Sequence, residues 1–458
     1  MTNNANKKNP FDTICDLKWN YPIFMLNRGE FRSCCRTTPN TVSNDELVKH
    51  GIDAFLNSEH MRAGRRDLIN GVKSPDCRTC WKLEDAGAPS PRSHPREFWR
   101  QMQDEGHFAK GEYDPVALLK QIQGVDDINH PMLYAKKPKL LEISLGNTCD
   151  MKCMYCSHHY STQWAAERIK VGEITQEQYD TEFPKTSDLY KEKFWEWFSS
   201  VARYSVNRIG LIGGEPLIIP EFYDFMDRIM ESVHEIEDQR TEKLTLWIVT
   251  NLNTPPAYLE KFFNYLPQIT KHFNLDIYIS MESLENKAEY IRNGIIWDRY
   301  SRNLHKLLQS DHKFNLGFIL SQNVLSITSI KPVVQFIERL TTTYGRPIAI
   351  KQSTVTHPTW QNPMILTPDF ANYIDEAITY MLGNVSKMPI VEDYYGRYDQ
   401  YIKFLQNMSD GLKNNTQTHT ADRKQFASWF DTYDQRRKLN LLETFPEYTE
   451  FYNLCKSL

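Results

Sequence analysis

Between Leu140 and Tyr160 the chain reads LLEISLGNTCDMKCMYCSHHY. An apolar run suited to a buried strand leads into a tight loop, and a helix signal follows. The loop carries Cys149, Cys153 and Cys156 in the spacing C-x3-C-x2-C. No other stretch restricts the chain as much. Three thiolates on one short loop can converge on a single metal centre, so the segments around it must support that loop. Soft thiolate ligands select zinc, copper(I) or iron–sulfur clusters. A structural zinc site is closed by four ligands; here the fourth would come from elsewhere, with His158 or His159 as candidates. Three cysteines on a four-iron cluster leave one iron open, which suits chemistry. Tyr155, just before the last cysteine, can shield such a cluster from water.

The remaining cysteines point the same way. The chain of 458 residues holds nine: Cys15, Cys34, Cys35, Cys77, Cys80, the loop triplet and Cys455. No apolar run long enough for a transmembrane helix occurs, and the first residues, MTNNANKKNPFDT, lack the apolar core of a secretory signal. A cytoplasmic protein is expected, where disulfides are rare, so clustered cysteines read as metal ligands. With 24% charged residues and a net charge of −4, the chain is an ordinary globular one. It shows no electrostatic preference for nucleic acid or membrane. Its length predicts two to three domains, or one long barrel.

Residues 1–10 are polar and read as a disordered tail. Tyr21–Leu26 and Glu30–Cys35 read as a hairpin around Asn27-Arg28-Gly29. A helical stretch from about Asp45 to Asn70 follows, then Cys77-Arg-Thr-Cys80. Cys15, one of Cys34 and Cys35, Cys77 and Cys80 make a four-thiolate set, able to ligate a four-iron cluster or a zinc ion. Spacing does not separate the two. Phe98, Trp99, Met102 and Phe108 suit an amphipathic helix packed on this first domain, and residues 110–138 read as an extended connection.

From 139 to 355, strand-like runs alternate with helix-like runs. The predicted strands are Leu140–Leu145, Arg208–Ile212, Leu244–Val249, Leu275–Ser280, Phe314–Leu320 and Ile348–Ser353. Such alternation marks an α/β fold with a parallel sheet, and parallel barrels carry chemistry on the loops after the strands. After the second strand comes Gly213-Gly214-Glu215-Pro216. Two glycines let a backbone approach a ligand closely, and a carboxylate beside them can accept hydrogen bonds from an ammonium group. The long insertion 170–205 holds Phe194, Trp195, Trp197 and Phe198, whose helical spacing reads as core. Beyond 355 the chain is helical and polar, with apolar spacing from Phe370 to Leu382 and from Tyr394 to Leu405.

The cysteine loop after a first barrel strand, with Tyr155 before the last cysteine and GGEP after the second strand, resembles the radical S-adenosylmethionine (radical SAM) superfamily. The resemblance implies a partial (β/α)6 TIM-type barrel over 139–355, joined by a linker with a helix (96–138) to a small N-terminal α+β cysteine-rich domain (11–95). A helical C-terminal extension (356–458) would cover the open side. It implies a [4Fe-4S] cluster on Cys149, Cys153 and Cys156, and SAM chelated at the open iron. Reductive cleavage of SAM would yield a 5′-deoxyadenosyl radical that abstracts hydrogen from a substrate. Gly213, Gly214 and Glu215 would hold the SAM amino group. Ser280, and after it Asn323, would meet the ribose. Tyr290-Ile-Arg292-Asn-Gly294 resembles a segment that supplies an arginine to the SAM carboxylate. For Ser280, Arg292 and Asn323 an ordinary strand or helix cap is the alternative. The N-terminal set is similar to twitch and SPASM auxiliary-cluster modules, in which a cysteine follows a G-x4 strand, as Cys34 follows Gly29. That favours Cys34 over Cys35, although here the module precedes the barrel. The resemblance implies an electron donor such as flavodoxin or ferredoxin, and a peptide or protein substrate ahead of a sugar or nucleotide. The contrasting expectation is a non-catalytic, zinc-stabilised binding protein on a barrel-like scaffold.

Overall fold

The computed structural model describes residues 10–85, 90, 92, 95–104, 106–107, 109, 111, 114–122, 124–183, 188–238, 240–384 and 397–458. Residues 1–9 of the expected tail, Phe108, and the start of the pattern at Tyr394 lie outside them. The strands are β1 (Ile23–Met25), β2 (Glu30–Arg32), β3 (Leu140–Ser144), β4 (Lys152–Cys153), β5 (Arg208–Ile212), β6 (Thr245–Thr250), β7 (Asn274–Ser280), β8 (Arg292–Asn293), β9 (Asn315–Gln322) and β10 (Ile348–Thr354). Six of these match the predicted barrel strands to within one or two residues. The fold is α/β, with the parallel strands and intervening helices of a partial TIM-type barrel and a helical C-terminal region. The chain forms two compact units. One takes described residues within 1–146, 177–212 and 224–246; the other takes 147–176, 213–223 and 247–458.

In the first unit β1 and β2 form the predicted antiparallel hairpin, with Phe24 opposite Phe31. β1 also pairs in parallel with β3, Phe24 beside Ile143, and β3 pairs in parallel with β5. The inward face of β1 is aromatic: Phe24 lies 5.3 Å from Phe31, 5.2 Å from Phe194 and 5.2 Å from Trp197 between ring centroids. Phe194, Trp197 and Phe198 are therefore core, as their spacing predicts, while Trp195 is half-buried. The helical stretch after the hairpin is three helices, Asn44–His50, Asp53–Leu56 and Glu59–Ile69. Gly51, at φ 57, ends the first in a conformation that suits glycine, and Ser58 caps the third by accepting from Met61 N. A buried cluster joins Cys15, Cys77, Trp19 and Trp81 to Trp99, Met102, Leu118 and Met132, so the helix around Trp99 packs on the cysteine-bearing elements. Arg65 is buried within this unit. It donates to Lys18 O, Leu56 O, Leu133 O and Asn57 Oδ1, which gives its buried nitrogens hydrogen-bond partners.

In the second unit β7, β9 and β10 pair in parallel, with Ser280 beside Ile319 and Ile319 beside Lys351. The helices Ala371–Asn384, Tyr398–Lys413, Thr420–Arg437 and Thr449–Ser457 make up the C-terminal region. Tyr401, fully buried, accepts a hydrogen bond from Gln322 Nε2 at 3.0 Å and so anchors one of these helices to β9. Among the described residues no helix is long and apolar enough to cross a membrane.

Candidate cluster-binding site

Cys149, Cys153 and Cys156 lie in the second unit, all free thiols. The loop that bears them is held through its backbone. Ser161 Oγ donates to Met151 O at 2.6 Å, Trp164 Nε1 to Cys153 O at 2.9 Å, and Gln361 Nε2 to Met154 O at 2.7 Å. Ser161 also caps the helix Thr162–Lys170, which fixes how the chain leaves the loop.

Two glycine segments close on the loop from different places in the sequence. A Cβ at Gly214 would sit 2.2 Å from Thr148 O, and Glu215 N donates to that same oxygen at 2.8 Å. Only glycine fits where one backbone presses on another this closely. Gly294, at φ 106, plays the same part beyond β8: a Cβ there would lie 2.8 Å from Asp150 O. β8 pairs antiparallel with β4, which sets Arg292 opposite Cys153. Residues 290–294 are thus a second grip on the cysteine loop.

The Glu215 side chain is buried and turned into the protein. Oε1 accepts from Thr250 Oγ1 at 2.7 Å and Leu217 N at 3.2 Å; Oε2 accepts from Asn251 N at 2.6 Å. Burial raises its pKa from 4.5 to about 7, against those hydrogen bonds, which lower it. The neighbouring Asn251 and Asn253 hold the Asp150 carboxylate through their Nδ2 groups, at 3.0 and 2.8 Å. Leu252 between them sits at φ 54, a left-handed conformation that costs a branched residue roughly 1–2 kcal/mol. The N-x-N pattern at the end of β6 was a usable sequence signal for this grip on Asp150.

Arg292 and Glu282 form a buried side-on pair. Nε donates to Oε2 and Nη2 to Oε1, both at 2.6 Å, and Tyr155 OH donates to Oε1 at 2.8 Å. The remaining nitrogen, Nη1, lies 3.6 Å from Cys153 Sγ. The edge of Arg292 that could bind a SAM carboxylate in bidentate fashion is therefore occupied by Glu282. Asn323 is buried, with Oδ1 accepting from Leu325 N and Nδ2 donating to Ser321 O. Ser280 is half-buried at the end of β7. His158 is buried against Arg168 Nη1 at 2.6 Å.

The donor set fits a metal cluster. Burial pushes the Cys153 thiol up to about 12, with the nearby Cys156 adding to the rise; Cys149 rises too, from burial and then Cys153. Neighbouring thiolates in so dry a place need a positive counter-charge, which a coordinated metal supplies.

Burial pushes the Cys77 thiol up to about 12, and Cys15, Cys34 and Cys80 each add to the shift. Cys77 and Cys80 both feel the charge of Cys34. Arg92 ties the segment before Cys15 to the helix Arg78–Asp85. It grips Glu84 through Nε and Nη2, both at 2.6 Å, donates from Nη1 to Thr13 O at 2.8 Å, and lies 3.9 Å over the Trp81 ring. Ser90 Oγ donates to the same carboxylate.

Comparison with known families settles the kinship of the second unit's loop: the model described as the radical SAM superfamily matches residues 143–335. Residues 143–335 thus carry a radical SAM domain. The radical SAM family uses a [4Fe-4S] cluster and SAM, and the match begins on β3 and takes in the cysteine loop, GGEP and Arg292. No curated protein matches the chain in sequence. Among solved structures, Streptococcus suis SuiB bound to S-adenosylmethionine is similar with a TM-score of 0.32 and 11% identity, covering 72% of this chain and 62% of that one. SuiB bound to the precursor peptide SuiA gives 0.34 and 10%, covering 71% and 64%. TYW1 with a lysine-pyruvate adduct gives 0.27 and 13%, covering 54% and 72%. The chain thus spans less than two thirds of the SuiB chain in these two comparisons, and overlaps of this size say nothing of substrate.

Proposed function

We propose that the protein is a cytoplasmic radical SAM enzyme that functionalises a C–H bond. Cys149, Cys153 and Cys156 would hold the SAM-binding [4Fe-4S] cluster. When bound, cluster and SAM together supply a 5′-deoxyadenosyl radical. The observation that carries this reading is the double clamp on the cysteine loop, by Gly214–Glu215 on one side and residues 290–294 on the other, inside the matching domain. The backbone of Gly213 and Gly214 then faces the SAM amino group, with the Glu215 carboxylate holding the turn in shape from behind. Ser280, half-buried at a strand end, is the ribose contact, with Asn323 second.

Cys15, Cys34, Cys77 and Cys80 would hold an auxiliary [4Fe-4S] cluster that anchors substrate or takes up the electron left after hydrogen abstraction. A peptide or protein is the substrate class, ahead of a sugar or nucleotide. That choice follows from the similarity of the N-terminal set to auxiliary-cluster modules. A flavodoxin or ferredoxin supplies the electron.

The test compares anaerobically reconstituted wild type with a Cys149/Cys153/Cys156→Ala variant. About eight irons falling to about four, together with 5′-deoxyadenosine formed from SAM and dithionite by the wild type alone, is the expected result. Zinc in place of iron in both proteins, and no SAM cleavage, would instead make the chain a zinc-stabilised binding protein.

A further inference from the structure

The geometry points to Arg292 as a positioning residue that sets how readily the centre on Cys153 accepts an electron, acting through Nη1 on the Cys153 sulfur rather than on SAM. The inference rests on the cluster assignment above. Three observations carry it. The Nε and Nη2 edge is used up by Glu282, and Tyr155 adds a third donor to that carboxylate, so the guanidinium cannot swing away. Nη1, the nitrogen left over, lies 3.6 Å from Cys153 Sγ. The β4–β8 pairing places the Arg292 and Cys153 backbones opposite each other, so the approach is built into the sheet and not into a mobile side chain.

A buried ion pair is costly to desolvate and is weak evidence of stability on its own. This one, with side chains only 7% and 1% exposed, delivers a fixed N–H and positive potential to a ligand sulfur. Hydrogen bonds to sulfur and local charge are what tune iron–sulfur potentials. Positive charge near the sulfur favours the reduced, more negative state. Glu282 offsets part of it, so the two residues act on the centre in opposite directions.

The experiment is an EPR-monitored redox titration of the full reconstituted chain, with the signal assigned by its loss in the Cys149/Cys153/Cys156→Ala variant. SAM affinity is measured alongside by equilibrium dialysis. Two variants are used. Arg292→Gln/Glu282→Gln removes the charged N–H without stranding a buried acid. Glu282→Gln leaves the arginine uncompensated. The double variant should shift the one-electron equilibrium about tenfold toward the oxidised centre, ~59 mV. Glu282→Gln should shift it by a similar factor in the opposite direction. SAM affinity should change less than about threefold in both. Potentials unchanged with iron retained would overturn the inference. So would a tenfold loss of SAM affinity at constant potential, which would make Arg292 a SAM ligand. Loss of iron from this centre in both variants would reduce Arg292 to a loop brace. Wild type without iron on Cys149, Cys153 and Cys156 would instead remove the cluster assignment itself.

Discussion

The two cysteine centres use the same device for different ends. Beside each, an arginine is held side-on by a glutamate near an aromatic ring: Arg92 with Glu84 and Trp81 in the first unit, Arg292 with Glu282 and Tyr155 in the second. The difference lies in the remaining nitrogen. Arg92 Nη1 donates to Thr13 O, two residues before Cys15, so the pair fastens a chain segment. Arg292 Nη1 reaches the Cys153 sulfur itself. The first pair is partly open to solvent and the second is closed, with Glu84 side chain 25% exposed against 1% for Glu282. One motif is a strap and the other a fixed electrostatic contact. What separates them is where the backbone puts the third nitrogen.

The sharpest way to break this comparison is to deform one centre and watch the other. Gly214→Ala would push a methyl group into Thr148 O. The Cys149, Cys153 and Cys156 centre should then lose about four irons, with the N-terminal centre retained; metal analysis and circular dichroism of the purified variant would show it. Equal loss from both centres would mean the substitution unfolds the chain and the comparison fails. Next in size, Arg92→Ala removes the strap. It should cost about 2 kcal/mol in chemical denaturation and release metal from the N-terminal centre, while SAM cleavage by the other centre continues. Abolished SAM cleavage would make Arg92 more than a strap.

Glu215 gives a pH signature peculiar to the second unit. Its pKa is raised by burial from 4.5 to about 7, so between those values the folded chain holds a proton that the unfolded chain has lost. Its contribution to stability therefore falls as pH rises from about 4.5 to about 7. In metal-free protein Glu215→Gln should remove that decline. Melting temperatures recorded at several pH values between 5 and 8 that run parallel for wild type and variant would refute it. The smallest effect is expected from Tyr290→Phe. Tyr290 OH donates to Asp434 Oδ1 at 2.6 Å and Tyr433 OH donates to Tyr290 O at 2.7 Å, which ties the helix Thr420–Arg437 to the 290–294 grip. Losing the first bond should cost about 1 kcal/mol by denaturant titration, with iron content unchanged.

The barrel strands were legible because each is a short apolar run bounded by turn residues, and the insertion aromatics because their period is helical. The parallel pairing of β1 with β3 was not. Its two partners lie more than a hundred residues apart, and nothing in Ile23–Met25 names Glu142–Ser144 as its mate. At the site, residue types told more than roles did. Arg292 was visible as an arginine in the right segment, but only the fold shows that Glu282 takes its bidentate edge. Glu215 was visible in GGEP, but its three protein donors come partly from Thr250 and Asn251 at the end of another strand. The support from the helix Thr420–Arg437, through Tyr433 and Asp434, left no local trace, since an exposed-looking polar helix carries no mark of what it braces.

The β1–β3 pairing also governs how the chain can be divided. Cut at Lys139, β3 would keep β5 on one side and lose its partner on the other, leaving a bare row of amides and carbonyls from Leu140 to Ser144. Such an open margin invites a second chain to add its own strand. A barrel fragment made this way should self-associate, whereas one that keeps Ile23–Met25 carries its own guard against it.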